Sequence, residues 1–519
     1  MRRRLYTPTR SVAGLYLLLL GAGCLAHRTS YPIEAEKVAP GSAVKPGARS
    51  WPMFGGSVQR NLAAPEETGL PNSWTAQEGK GKNVKWSAKL GSKALGGPIV
   101  AGGKVFVGTN RVHGSQEEEE KGVLICFRES DGKFLWQAVH DTLKDGTGAQ
   151  TYGVVSSPCV DGDRVYYVNN RWEVICADVA GDGEKAKIIW KLDMIKDLGV
   201  FPGGIAGSLS ICSPLVVDDL LFVVTANGAE GKDKVPAPDA PSFIAIDKNT
   251  QKVVWQDHSP GKNIMDSQWA NPAAAKVNGQ WHVYFPGGDG WMYAFEAKSG
   301  KLVWKFDCNP KMSDFRPGGR GTRNYMVATP VIWENKLYIA MGRQPDDGNG
   351  EGHLWCIDIT KEPKNPDKDL SPVGDNFDPK AEVNKDSGLV WHFGGPVVPK
   401  PEGAGREYVF GRSVSTVAIH DGLLYAAELA GYLNCLDART GKKYWEFDLK
   451  SNTWSSPLYA DGKVFMGSDD GNMFVFKHGK ELTKPAKIDM NDALLSPPTA
   501  VNGVLYVSNG SNLYAIAAK

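Results

Sequence analysis

Apolar positions along most of the chain fall in short alternating runs, and the runs recur in a fixed phrase. Two or three apolar residues, a small residue and another apolar residue lead through a polar turn to a run ending in Trp. Val123-Leu124-Ile125-Cys126-Phe127 leads through Asp131-Gly132 to Trp136, and Phe243-Ile244-Ala245-Ile246-Asp247 leads to Trp255. Met292-Tyr293-Ala294-Phe295 leads through Ser299-Gly300 to Trp304, and Leu433-Asn434-Cys435-Leu436-Asp437 through Thr440-Gly441 to Trp445. In all four the small residue stands ten positions before the Trp. Val174 to Trp190 is the same phrase with four residues added around Gly181-Asp182-Gly183, and Leu354 to Trp391 carries a long insertion.

Each phrase follows two further apolar runs joined by a tight turn, as in Ile99-Val100, Gly102-Gly103, Val105-Phe106-Val107. Gly-Gly, Asp-Gly or Asn-Gly between alternating runs signals a hairpin. The unit is therefore four antiparallel strands, and its recurrence every 40 to 55 residues or so predicts an all-β fold, a β-propeller. Six units end in Trp: Trp136, Trp190, Trp255, Trp304, Trp391 and Trp445. A seventh, around Met473 to Phe476, lacks it, and an eighth, around Leu513 to Ile516, stops before its outer strand. Asn83-Val84-Lys85-Trp86-Ser87 supplies a spare strand at the other end. The expectation is an eight-bladed propeller of four-stranded blades over residues 83–519, closed by that N-terminal strand so that no sheet edge stays open.

The phrases Asp437 to Trp445 and Ala297 to Trp304 resemble the pyrroloquinoline-quinone (PQQ) type propeller repeat, in which a Trp of the outer strand docks on the next blade. The resemblance covers most of the chain. No Trp-Asp dipeptide is present, which separates it from WD40 propellers. It implies kinship with two exported groups, the quinoprotein alcohol dehydrogenases and BamB-type lipoproteins that act as assembly scaffolds. The long insertions and the Trp51-Pro52 opening are similar to PQQ-like proteins of Planctomycetes.

Ahead of the repeat, Arg2, Arg3, Arg4 and Arg10 precede an apolar run from Val12 to Ala22. The run is too short for a spanning helix and reads as a signal peptide over residues 1–23. Small residues directly before Cys24 resemble a bacterial lipobox, making Cys24 the expected lipid attachment site; an ordinary signal peptide is the alternative. Residues 24–50, rich in Pro, Gly, Ala and Ser, read as a flexible tether. Residues 51–82 read as an extension packed on the propeller. The expected location is the periplasm or outer membrane, with the membrane reached through the lipid.

Charge then narrows the function. The 59 Lys+Arg against 58 Asp+Glu leave no basic footprint for nucleic acid. There is no adjacent Cys pair, no Cys-x-x-Cys-His haem motif and no Cys-x-x-Cys zinc spacing. Cys126, Cys176, Cys356 and Cys435 occupy the small-residue slot and read as compact buried hydrophobes. The histidines are scattered, and the acidic runs Glu117 to Glu120 and Asp346 to Glu351 read as solvated loops.

The remaining candidate surface is the funnel at the axis, lined by residues just before each innermost strand. Trp269, Asn271, Asn324, Arg412 and Trp454 are the candidate ligand-holding residues. Tyr152, Ser208, Gln268, Arg323, Tyr325, Ser413, Asn452, Asn491 and Asp492 lie around them. No catalytic and no metal residue is assigned, and no cofactor is expected. The reading is a non-catalytic binding or assembly scaffold of the cell envelope with a protein partner, and a small ligand in the funnel remains open. The alternative is a PQQ-dependent redox enzyme holding the quinone with Ca²⁺ in that funnel.

Overall fold

The computed structural model of the chain describes residues 48–76, 81–116, 119–143, 151–203, 210–231, 234–316, 319, 321–372, 384–400, 402–403 and 405–518. The signal peptide, most of the tether, Cys24, Glu117 and Ser208 lie outside these residues. Among the described residues no helix is long and apolar enough to cross a membrane.

The strands form antiparallel four-stranded meanders, each running from an innermost to an outermost strand, and the fold is a β-propeller. In the first blade the order is Ile99–Ala101, Lys104–Thr109, Gly122–Arg128 and Phe134–His140. The last blade takes Thr499–Val501, Val504–Ser508 and Asn512–Ile516 from the C-terminus and Val84–Lys89 from the N-terminus. Trp86 pairs with Ala515, Ser87 with Tyr514 and Lys89 with Asn512, so the closing strand is in register from Trp86 onward, after a bulge between Val84 and Trp86. The outer strands of the first two blades also touch, through one parallel pair, Gln137 with Lys185.

The small-residue slot has a direct structural meaning. Cys126, Cys176, Ala245, Ala294, Cys356, Cys435 and Ala515 each stand opposite a Trp on the neighbouring outer strand: Trp136, Trp190, Trp255, Trp304, Trp391, Trp445 and Trp86. Cross-strand side chains lie close enough to compete for space, so a large ring demands a small partner. In the seventh blade the sizes are exchanged, with Val475 in the slot and Ala486 opposite.

The N-terminal extension runs inside the ring. An innermost strand has a free edge facing the axis, and its buried N–H groups need partners. Residues 51–62 supply them at one register position in six blades. Val100 N–H donates to Trp51 O, Val160 to Pro52 O, Ala274 to Val58 O, Ile332 to Gln59 O and Tyr459 to Leu62 O, all within 2.7–3.0 Å. Ile419 N–H donates to the Asn61 side chain at 2.9 Å, and the Asn61 amide returns a bond to Ile419 O at 2.8 Å. Ala63–Ala64 then pairs parallel with the innermost strand Leu458–Ala460. Arg60, fully buried, holds the middle of this strap. Its guanidinium donates to the carbonyls of Pro272 (2.8 Å), Phe54, Ser213 and Pro214 (3.0 Å each).

Candidate functional site at the channel mouth

The residues that enter each innermost strand meet around the axis. Most are Ser, Thr or Asn followed by Pro, types that put a hydrogen-bonding side chain on an extended backbone lacking the next donor. They join into a circle. Ser157 Oγ donates to Gly97 O (3.0 Å), Ser157 N–H to Ser213 Oγ (3.0 Å) and Ser213 N–H to Asn271 Oδ1 (2.5 Å). Asn271 Nδ2 donates to Thr329 Oγ1 (2.7 Å), Thr329 N–H to Thr416 Oγ1 (3.2 Å) and Thr416 N–H to Ser456 Oγ (3.0 Å). Ser455 Oγ donates to Ser496 O (2.9 Å), and Thr499 Oγ1 closes the circle on Pro98 O (2.8 Å). Every consecutive pair of blades is thus tied by at least one buried hydrogen bond.

This circle surrounds a cavity of about 160 Å³. Phe54 of the strap, with Tyr152, Trp269 and Trp454 of the blades, gives it aromatic walls; Leu95, Ile211, Val327, Val414 and Leu495 add aliphatic ones. Asn271, Thr329, Thr416 and Ser456 contribute polar atoms that the circle already uses. None of the lining side chains is charged. A separate cavity of about 430 Å³ is lined by residues 49–67 together with inner-strand residues such as Ile332 and Val501.

Three of the five candidate residues, Trp269, Asn271 and Trp454, come together here, with Tyr152 beside them. Asn324 and Arg412 do not line the cavity. Asn324 takes part in hydrogen bonds with Asn309, Glu351 O (3.1 Å) and Arg343, while Arg412 Nη1 donates to Asp347 O (2.8 Å) and Gly348 O (3.1 Å). Long loops fold over both side chains and use them as struts. Gln268 is likewise spent on Asn227 O and Ser242. Phe54 was missed because it belongs to the strap, and Gln344 and Pro345 because they sit in the loop between second and third strands.

Of the lining residues, Trp269 and Gln344 keep a buried polar atom, the indole N–H and Oε1, without a partner among the described residues. The Trp454 backbone N–H donates to Asp469 at 3.0 Å, and burial pushes the Asp469 carboxyl up to about 6. Among the described residues no group of three or more His, Cys, Asp or Glu side chains is placed to hold a metal ion. The seven described cysteines are buried free thiols. Burial pushes Cys159 up to about 11 and Cys212 to about 12, far from the thiolate form that reacts.

Comparison with known proteins places this geometry. The chain matches the family described as outer membrane protein assembly factor BamB over residues 54–180, 120–367 and 381–519. It is similar in structure to BamB from Moraxella catarrhalis, with a TM-score of 0.52, 14% identity, and 84% of this chain and 97% of that one covered. It is also similar to a quinohemoprotein alcohol dehydrogenase from Comamonas testosteroni (TM-score 0.57, 14% identity, 91% and 81% covered). A europium-containing methanol dehydrogenase gives a TM-score of 0.55 at 14% identity, with 90% and 98% covered. At such identities the likeness is one of fold. Among curated proteins, tetrathionate hydrolase of Acidithiobacillus ferrooxidans is 24% identical over 165 residues, 32% of this chain and 26% of that protein's length. The family match runs through most of the ring, and the chain belongs to the PQQ-repeat propeller family of the outer membrane protein assembly factor BamB.

Proposed function

We propose that this protein is an exported, non-catalytic binding scaffold of the cell envelope, anchored by lipid at Cys24. It presents its blade edges and loops to a protein partner. The observation that carries this reading is the state of the axis. One segment of the chain itself runs along the innermost strands and pairs with their free edges, and the polar groups at the mouth are engaged in holding blades together. The surfaces left for recognition are the outer strands and loops, whose free edges suit strand addition by a partner. Pull-down from detergent-solubilised membranes with the full chain tests it. A defined envelope protein retained by wild type is expected, and a Cys24→Ser variant should move to the soluble fraction. Failure to retain any partner, with quinone-dependent turnover instead, overturns the reading.

The fold likeness to quinoprotein dehydrogenases keeps a redox alternative in view, with Trp269 and Trp454 as the aromatic floor. PQQ carries three carboxylates, and Ca²⁺ takes six to eight oxygen ligands. The described wall offers neither cations for the first nor carboxylates for the second. Arg412, the one cation among the funnel candidates, and Asn324, an amide oxygen donor, are struts outside it. The donor set therefore does not fit the group. Incubation with PQQ and Ca²⁺, followed by absorbance and dye-linked alcohol oxidation, separates the two readings.

A further inference from the structure

We infer that the cavity at the channel mouth is a site for one small, uncharged aromatic ring, a ligand class without the charge and smaller in size than the quinone cofactor of the dehydrogenase relatives. Three features carry this, and none depends on the scaffold role.

The first is size. A volume of about 160 Å³ is near that of an engineered 150 Å³ protein cavity that binds benzene. It is below the roughly 300–1,000 Å³ of sites for larger cofactors. The second is the wall. Phe54, Tyr152, Trp269 and Trp454 present four aromatic side chains, and aromatic pairs gain from offset or edge-on contact beyond simple area burial.

The third is the condition of the polar lining. Asn271 uses its side-chain oxygen on Ser213 and its amide on Thr329, and the Thr329, Thr416 and Ser456 hydroxyls each already accept a bond from a neighbouring blade. A charged ligand would lose its water and find no opposite charge in the wall, only the neutral O–H groups of the three hydroxyls and the Trp269 indole N–H. An uncharged ring loses little water and gains contact with the aromatic and aliphatic walls. The strap completes the wall: Phe54 comes from residues 51–62 and the rest of the lining from the blades and their loops.

Benzyl alcohol and benzoate share a ring and differ in charge, which makes them the probes. Binding to the full-length protein is followed by ligand-observed NMR and by the rise in thermal midpoint. Benzyl alcohol should bind at least tenfold more tightly than benzoate, and PQQ with Ca²⁺ should not compete with it. Val414→Phe, which fills the cavity from a blade, should weaken benzyl alcohol at least tenfold. Val327→Phe does the same from another blade and stands in if the first variant fails to fold. Absence of benzyl alcohol binding overturns the inference. So does benzoate binding equally well, competition by PQQ, or a filled cavity that still binds normally.

Discussion

Trp86 lies directly against Gly132. A Cβ on that glycine would come within 2.5 Å of the Trp86 ring, and the Trp86 indole N–H donates to Glu129 O at 2.9 Å. Trp86 belongs to the N-terminal closing strand and Gly132 to the turn between third and fourth strands of the first blade, so this contact seals the ring. The same relation joins Trp136 to Gly181, Trp255 to Gly300 and Trp391 to Gly441. These four Trp residues thus dock on the turn of the following blade, and Trp445 reaches the corresponding turn of the seventh blade through its indole N–H, which donates to Gly479 O at 3.0 Å. That explains the one blade without Trp. The last blade takes its third and fourth strands from opposite ends of the chain, so it has no such turn for the seventh blade to dock on.

Gly132 has φ of +72° as well as the ring against it, so a side chain there meets two penalties. Gly132→Val should lower stability by about 2–4 kcal/mol, combining left-handed strain with overpacking. Gly102 has φ of +58° and open space around it, so Gly102→Ala isolates the first penalty at about 1 kcal/mol. Urea midpoints of the two variants check this. Equal losses would mean that the Trp contact contributes nothing.

Arg60 is the strap's anchor. Burial lowers its pKa to about 10, so it stays protonated at neutral pH while its guanidinium serves four carbonyls. Arg60→Met should cost about 3–5 kcal/mol, the loss typical when a buried charged donor leaves its partners unpaired. Arg60→Lys should recover little, because an ammonium on a single point cannot reproduce the planar fork. Limited proteolysis within residues 51–67 reads the strap directly. Cleavage as slow as wild type in Arg60→Met would show that the anchor is elsewhere.

Much of this was legible beforehand, and the physical reason is periodicity. A Trp demands a small residue across the strand, so Cys126 and Trp136 announce each other ten residues apart. Trp269 and Trp454 were placed at the mouth because position relative to an innermost strand is itself periodic. The strap was not legible as a lumen segment. Its partners are backbone groups of Val100, Val160, Ala274, Ile332 and Tyr459, and backbone groups leave no pattern in side chains. A single Arg60 amid Gly, Ser and apolar residues was the available signal of a deeply held segment. Arg412 and Asn324 stand four and five residues before the circle residues Thr416 and Thr329, whereas Trp269 and Trp454 stand two before Asn271 and Ser456; local loops claim the earlier positions, and insertions are where periodicity ends.

Asn271 was a ligand candidate and stands instead in the hydrogen-bonded circle. Asn271→Ala leaves the buried Ser213 N–H without its acceptor and Thr329 Oγ1 without a donor. The expected loss is about 2–3 kcal/mol, at the upper range for an unsatisfied buried polar group. Binding of benzyl alcohol should change by less than threefold, since the amide was never available to it. A variant of full stability that loses ligand binding would return Asn271 to the role of a binding residue.

His353 and His392 face each other in the fifth blade, with Nδ1 and Nε2 3.4 Å apart and the Trp355 ring 4.2 Å from His392. Burial pushes His353 down to about 3 and His392 well below its ordinary value, the latter helped by His353. Glu351 lies 3.8 Å from His353 but is substantially solvated, too weak to reverse the effect of burial. The sign follows from proton counting. Below about pH 6.5 the unfolded chain takes up a proton at each imidazole and the folded chain does not. Stability therefore falls as pH drops from about 6.5 toward 3, by up to about 1.4 kcal/mol per pH unit for each histidine. Paired carboxylates elsewhere add their own acid sensitivity, so the test is a difference between proteins. Replacing both residues, His353→Phe with His392→Phe, should flatten the slope of unfolding free energy between pH 6 and pH 5 by about 2 kcal/mol per unit, allowing for partial protonation near 6.5. Urea unfolding at pH 7, 6 and 5 measures it. Parallel curves for wild type and the double variant would mean that the pair accepts protons in the folded state.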